Sequence, residues 1–260
     1  MENDFKGCIR APAMGEAAAV KELPTCALCG ARRACVPTLF QAIDSEVFDS
    51  VIYGKRRIDR NAILCTENDK FDMLYIVRFG QLKMLRRDPS GILHVVKFYM
   101  PGDIIGMDAI ATGVHCVRVM ALENSELCEV SYRHLKQAMA DAPQFTERFV
   151  KTMSRALADD HERSCVLSLS NLDERFASFL LDLSNKYERQ GYSGRSFRLS
   201  MTRGDIGSYL GTTVETVSRL IARFNAHHGV SITGRLVEVH DREQLLAVLD
   251  VTRTPQLISG

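Results

Sequence analysis

No run of 18 or more apolar residues occurs anywhere in the 260-residue chain, which excludes an ordinary membrane-spanning helix. Its start, Met1-Glu2-Asn3-Asp4-Phe5-Lys6, has neither the basic opening nor the apolar stretch of a secretion signal. Together these absences lead to the expectation of a cytoplasmic protein with no membrane partner. An excess of charge of one sign is missing too: 33 Lys and Arg face 32 Asp and Glu, for a net charge of +1. Any basic surface that meets a polyanion must therefore be local. With 46% hydrophobic and 25% charged residues, the composition excludes disorder for most of the chain, and the length allows two domains with separate cores.

Cysteine, by contrast, is plentiful: Cys8, Cys26, Cys29, Cys35, Cys65, Cys116, Cys128 and Cys165. Without a secretion signal, these thiols point to metal or redox chemistry instead of a disulfide framework. Cys26-Ala27-Leu28-Cys29, five further residues and then Cys35 place three thiols within ten residues. Structural zinc and iron-sulfur clusters both commonly take four cysteines, so a distant fourth is required. In Cys128-Glu129-Val130-Ser131-Tyr132, strand alternation puts Cys128 on the apolar, inward face, whereas Cys116 alternates away from Val117 and Val119 and faces out. Cys128 is thus favoured as fourth ligand, Cys65 and Cys165 read as small hydrophobes, and Cys8 belongs to a leader. Spacing alone leaves zinc, an iron-sulfur cluster and metal-free redox thiols open.

The rest of the chain divides by texture. Residues 1–25 read as a loose leader, and Leu39, Ile43, Val47 and Val51 step by four, predicting a helix from Leu39 to Ile52. From about 63 to 134, runs such as Met73-Leu74-Tyr75-Ile76-Val77 and Val95-Val96-Lys97-Phe98-Tyr99 alternate with turns such as Pro89-Ser90-Gly91 and Pro101-Gly102-Asp103. That pattern predicts about eight strands in an antiparallel roll or barrel. Beyond Pro143, the positions Val150, Met153, Leu157, Asp160, Ser164 and Leu167 step by 3, 4, 3, 4 and 3, a heptad seam on a helix that pairs with its own copy. The alternative is a helix packed on its own roll. Two copies of Asp160 brought together at such a seam repel, which would hold the chain near a monomer-dimer balance. A second amphipathic helix spans 172–187.

Farther on, Thr202 and Asp205 predict a capped helix carrying Ile206, Tyr209 and Leu210, with a turn at Gly211. Another helix opens near Thr212 or Thr213, with Val217, Leu220, Ile221 and Phe224 on its core face. Glu215, Ser218, Arg219 and Ala222 then face outward, as major-groove reading by a helix-turn-helix requires. Arg219 can donate two bonds to guanine, Glu215 can accept from cytosine, and Ser218 can do either. The plainer readings are Glu215 as capping partner of Thr212 and Arg219 as a solvated surface residue. Six arginines between 195 and 240 against three carboxylates favour the DNA-facing reading. The segment 229–239 alternates around Thr233-Gly234 as a hairpin wing.

The Cys26, Cys29, Cys35 spacing, the Cys128-Glu129-Val130 segment, Met201-Thr202-Arg203-Gly204-Asp205-Ile206-Gly207-Ser208-Tyr209-Leu210-Gly211 and Val214-Glu215-Thr216-Val217-Ser218-Arg219 follow in an order that resembles the fumarate and nitrate reduction regulators. These are a branch of the cyclic AMP receptor protein superfamily, and the resemblance covers roughly residues 26–250. It implies an α+β chain: a β roll like a cyclic-nucleotide-binding domain (26–142, with the cysteine loop), a dimerisation helix (143–170) and a winged helix-turn-helix domain (171–260). It further implies one oxygen-labile 4Fe-4S cluster per subunit on Cys26, Cys29, Cys35 and Cys128, and a homodimer when the cluster is intact. Glu215, Ser218 and Arg219, with Val214 and Thr216 beside them, are expected to read TTGAT-type inverted repeats in double-stranded DNA. Genes of low-oxygen metabolism would be activated or repressed through contacts with RNA polymerase, and no catalytic residue is expected. Gly106 precedes Met107 and Arg118 precedes Val119, a departure from the phosphate-holding pairs of cyclic AMP sites, so no cyclic nucleotide is expected.

Overall fold

The computed structural model describes residues 51–168 and 171–250. Its first part is a roll of two antiparallel sheets built from β1 (Ile52–Ile58), β2 (Ile63–Cys65), β3 (Met73–Phe79), β4 (Leu82–Arg87), β5 (Leu93–Tyr99), β6 (Ile104–Ile105), β7 (Arg118–Ala121) and β8 (Ser125–Ser131). One sheet has the order β1-β8-β3-β6 and the other β2-β7-β4-β5. Apolar residues at alternate positions, among them Val77, Leu82, Ile105, Val119 and Leu127, fill the space between the sheets. Tight turns hold the register. At Gly80, with φ of 84°, an added Cβ would lie 2.8 Å from the Ser125 backbone, so only glycine fits.

Two boundaries differ from the sequence expectation. β1 begins at Ile52, where a helix was predicted to end; the remainder of that predicted helix, apart from Val51, lies outside the described residues. The strand was hidden by Lys55-Arg56-Arg57, which break apolar alternation on a sheet edge where charge is well tolerated. At the other end, β8 stops at Ser131 and residues Tyr132–Asp141 form a helix, α1.

Pro143 opens α2 (Pro143–Ser168), its missing N–H harmless at a first helical position. At 26 residues it extends about 39 Å. Its fully buried side chains are confined to the start: Phe145 and Phe149 pack in a cluster with Leu135, Ala138 and Cys128. Farther along, Val150, Met153 and Leu157 are 54%, 37% and 57% exposed in the single chain. Asp160 and Ser164 are exposed as well, and Leu167 is half-buried.

Next comes α3 (Leu172–Arg189), capped by the Asn171 side chain, with Asp173 and Glu174 in its first turn and Lys186 and Arg189 in its last, as the helix dipole favours. Then follow β9 (Ser196–Arg198), α4 (Arg203–Leu210), α5 (Val214–His227), β10 (Val230–Thr233), β11 (Leu236–Val239) and α6 (Arg242–Asp250). The sequence reading had the wing hairpin but neither β9, which adds a third strand to it, nor α6. Phe176, Leu180, Leu220 and Phe224 share one core with Leu85, Val95, Phe98 and Met100 of the roll. Polar contacts reinforce that junction: Lys83 Nζ lies 2.6 Å from Asp205 Oδ1, and the Val95 N–H donates to Ser208 Oγ at 2.9 Å. Gln81 Nε2 donates to the Tyr187 hydroxyl at 2.8 Å. No helix among the described residues is long and apolar enough to cross a membrane.

Candidate functional site

Helix α4 begins with a reciprocal cap. The Asp205 N–H donates to Thr202 Oγ1 at 3.1 Å, and the Thr202 N–H donates to Asp205 Oδ2 at 2.9 Å. Burial pushes the Asp205 carboxyl up, but hydrogen bonds from Lys83 and Thr202 outweigh it and hold the group below the usual carboxylate range. The helix ends at Gly211, in the left-handed region at φ 70°, whose N–H reaches the Gly207 and Ser208 carbonyls. Gly207 lets α4 and α5 approach: a Cβ there would sit 2.9 Å from the Thr212 carbonyl oxygen. Gly207→Ala is expected to destabilise the chain by about 1–3 kcal/mol through overpacking and to weaken DNA binding, checked by denaturant unfolding alongside a binding titration.

Thr213 caps α5, its hydroxyl accepting from the Thr216 N–H at 3.3 Å. The capping partner three residues on is therefore Thr216, which removes the reading of Glu215 as partner of Thr212. Val217, Leu220, Ile221 and Phe224 are buried, and Glu215, Arg219 and Ala222 are exposed on the opposite face. Val214 is 45% exposed, and Thr216 and Ser218 are half-buried. Glu215's own backbone N–H and the Thr213 side chain hold its carboxyl below the usual range. Arg219 Nη2 donates to Thr216 Oγ1 at 3.2 Å. Ser218 Oγ accepts from Arg203 Nη1 at 3.1 Å and donates to the Val214 carbonyl at 3.0 Å. The outer face of α5 thus carries the Glu215 acceptor and, about one turn on, the adjacent Ser218 hydroxyl and Arg219 guanidinium, flanked by the exposed Arg203. Such a set can read base edges.

Of the four cysteines expected to hold a cluster, Cys26, Cys29 and Cys35 lie outside the described residues. Cys128 is 5% exposed on β8, opposite Lys55 of β1 and Ile76 of β3. It shares a cluster with Leu74, Val130, Phe145 and Phe149. Cys116 is exposed and Cys65 buried, as their alternation and apolar setting suggested. Cys165 is a correction: it is exposed on α2, because the heptad turns it away from any core of its own chain.

Sequence reading missed His115, whose partners are far apart in the chain. It is 4% exposed, with Nδ1 3.5 Å from Asp108 Oδ2, and packs edge-on against Phe71 at 5.8 Å between ring centroids. Asp108 and the Cys65 thiol raise its pKa from an ordinary 6.5 to about 10. A raised histidine contributes stability that is present below about pH 6.5 and lost as pH climbs through about 10. The stability gap between wild type and His115→Gln should accordingly narrow from pH 6.5 to 10 in urea titrations; a constant gap would show that the imidazolium plays no part.

Residues 55–142 match the cyclic nucleotide-binding domain, and residues 174–248 match the Crp-like helix-turn-helix domain. A roll of this kind followed by a winged helix-turn-helix defines a DNA-binding transcription regulator, not an enzyme. The chain is 33% identical over 229 residues to the anaerobic regulatory protein of Haemophilus influenzae, covering 88% of this chain and 89% of that one. To the fumarate and nitrate reduction regulatory protein of Escherichia coli K12 it is 32% identical over 228 residues, 88% of this chain and 91% of that one. It belongs to the family of fumarate and nitrate reduction regulators. The fold is shared with FixK2 from Bradyrhizobium japonicum, with a TM-score of 0.68 at 22% identity over 75% of this chain and 96% of that one.

Proposed function

We propose that this chain is an oxygen-responsive regulator of anaerobic or microaerobic genes in which Cys26, Cys29, Cys35 and Cys128 hold one 4Fe-4S cluster per subunit. The observation that carries the reading is the placement of Cys128. Its buried thiol lies on β8 directly opposite β1, the strand into which the cysteine segment leads. Even with the helix expected from Leu39 onward, the chain between Cys35 and Val51 can reach roughly 30 Å, enough to bring the three loop thiols to it. Four cysteines are the usual donor set for such a cluster. When bound, it supplies a centre that oxygen degrades and ties the loop to β8.

Packing gives that event an outlet. Cys128 touches the cluster that anchors Phe145 and Phe149, so a loosened β8 also loosens the root of α2. The exposed Val150, Met153 and Leu157, continued by Asp160, Ser164 and Leu167, form the face that meets a second copy. Paired Asp160 carboxylates keep that association near balance. In the homodimer, two α5 helices about 34 Å apart enter successive major grooves. There Arg219 donates to guanine, Glu215 accepts from cytosine and Ser218 adapts, on TTGAT-type inverted repeats, with Val214 and Thr216 beside them. RNA polymerase is the further partner. The roll works without a cyclic nucleotide, a reading supported by Met107 after Gly106 and by Arg118, whose guanidinium is committed to Thr66 at 3.1 Å and Glu67 at 3.3 Å.

The test is the visible spectrum of protein purified without air, with DNA binding measured before and after air. Brown protein that loses both its colour and its specific binding supports the proposal. Colourless protein containing zinc would assign the thiols to a structural metal and the regulation to another effector.

A further inference from the structure

Asp160 is not a bare charge within its own chain. Its Oδ1 lies 3.1 Å from Nζ of Lys97, a residue of β5 that is 63 positions away in sequence. Lys97 is held in place: its side chain is 21% exposed, and its ammonium lies 5.8 Å from the centroid of the Tyr99 ring. The neighbouring cation on α2, Arg163, is turned to another task, stacking 4.4 Å from the Tyr209 ring. We propose that Lys97 is the built-in counter-ion of Asp160 and sets how readily two α2 helices associate. The proposal rests on the reading of α2 as the dimerisation helix.

The physical argument is one of distance. Across a two-fold seam, the Asp160 carboxylates repel each other, and the cost grows as water is removed. A Lys at 3.1 Å within each chain is at contact distance from its carboxylate, so each chain brings a nearly neutral pair to the seam. Dimerisation then brings together two compensated dipoles in place of two like charges. Lys97 therefore moves the balance toward the dimer, while Asp160 alone moves it away. The same strand links this setting to the DNA-reading part: Val95 donates to Ser208, and Phe98 packs on Tyr209 at 5.0 Å between centroids, so the docking of α4 on β5 fixes where the ammonium stands.

The experiment is a double-mutant cycle on the full chain, with dimer dissociation constants from sedimentation velocity for protein kept anaerobic and protein exposed to air. Each dimer contains two pairs of modest strength, so Lys97→Met should weaken association about tenfold. Asp160→Ala should strengthen it, and Lys97→Met added to Asp160→Ala should change it less than about twofold. Lys97→Arg, which keeps the charge, should restore wild-type association, and Lys97→Gln against Lys97→Arg decides the matter if the Met variant does not fold. Unchanged association in the charge-free variants overturns the proposal, as does an equal loss in both Asp160 backgrounds, which would mean that Lys97 acts by packing. If Asp160→Ala itself has no effect, the seam reading fails with it; an Asp160→Ala effect without a Lys97 effect removes the counter-ion alone.

Discussion

Cys128→Ala protein prepared without air is expected to be colourless and to bind its operator about a thousandfold or more less tightly, at the level of any DNA. The size of the loss follows from what the thiol does under the proposed reading. It is the one cluster ligand in the rigid roll, so without it the remaining three thiols have nothing to close against. A regulator that no longer dimerises forfeits the gap between specific and non-specific binding, about 10³ or more. Alanine keeps the site apolar, so the roll should lose only the small amount due to a missing sulfur. Cys116→Ala, at an exposed position, should keep both colour and binding. Brown, operator-binding Cys128→Ala protein would transfer the fourth-ligand role elsewhere.

Arg219→Ala should lower discrimination at one G·C pair of each half-site by about 1–3 kcal/mol while leaving binding to unrelated DNA nearly unchanged. The side chain is exposed, and its bond to Thr216 Oγ1 at 3.2 Å keeps it along α5 in the free protein. Under the proposed reading, its removal subtracts a base contact and leaves phosphate contacts to others, so the salt dependence of non-specific binding should barely move. Titrations against half-sites with each base substituted in turn would show it. An equal loss on every sequence would make Arg219 a phosphate contact and leave the base reading to Glu215 and Ser218.

How far the sequence spoke depended on how local each signal was. The α4–turn–α5 unit was legible because the Thr202 cap, the Gly211 turn and the spacing of Val217, Leu220, Ile221 and Phe224 are contained within 23 residues. The burial of Cys128 with Val130 was legible because strand alternation is a rule between neighbours, although that face packs on α1 and α2 while Leu127 fills the space between the sheets. β1 was missed where Lys55-Arg56-Arg57 replaced apolar alternation, and β9 because three residues carry too little pattern against the wing hairpin. His115 with Asp108 and Cys65, and Lys97 with Asp160, are partnerships of side chains made by the fold, and neither leaves a trace in spacing. The exposure of Cys165 had the same origin, since a helix that meets its own chain along one side has an outside on its other faces.

Because Leu85, Val95, Phe98, Met100 and Leu122 are buried together with α3, α4, α5 and the wing, the DNA-reading head is not a detachable cartridge. Expressed alone, it would bare the apolar surface that the roll now covers, a sticky flank prone to aggregate. Exchanging heads between regulators of this family to rewire gene control would therefore succeed only if the matching face of β4 and β5 travelled with them, Lys83 included, since that strand pair is as much part of the reader as the helix that touches DNA.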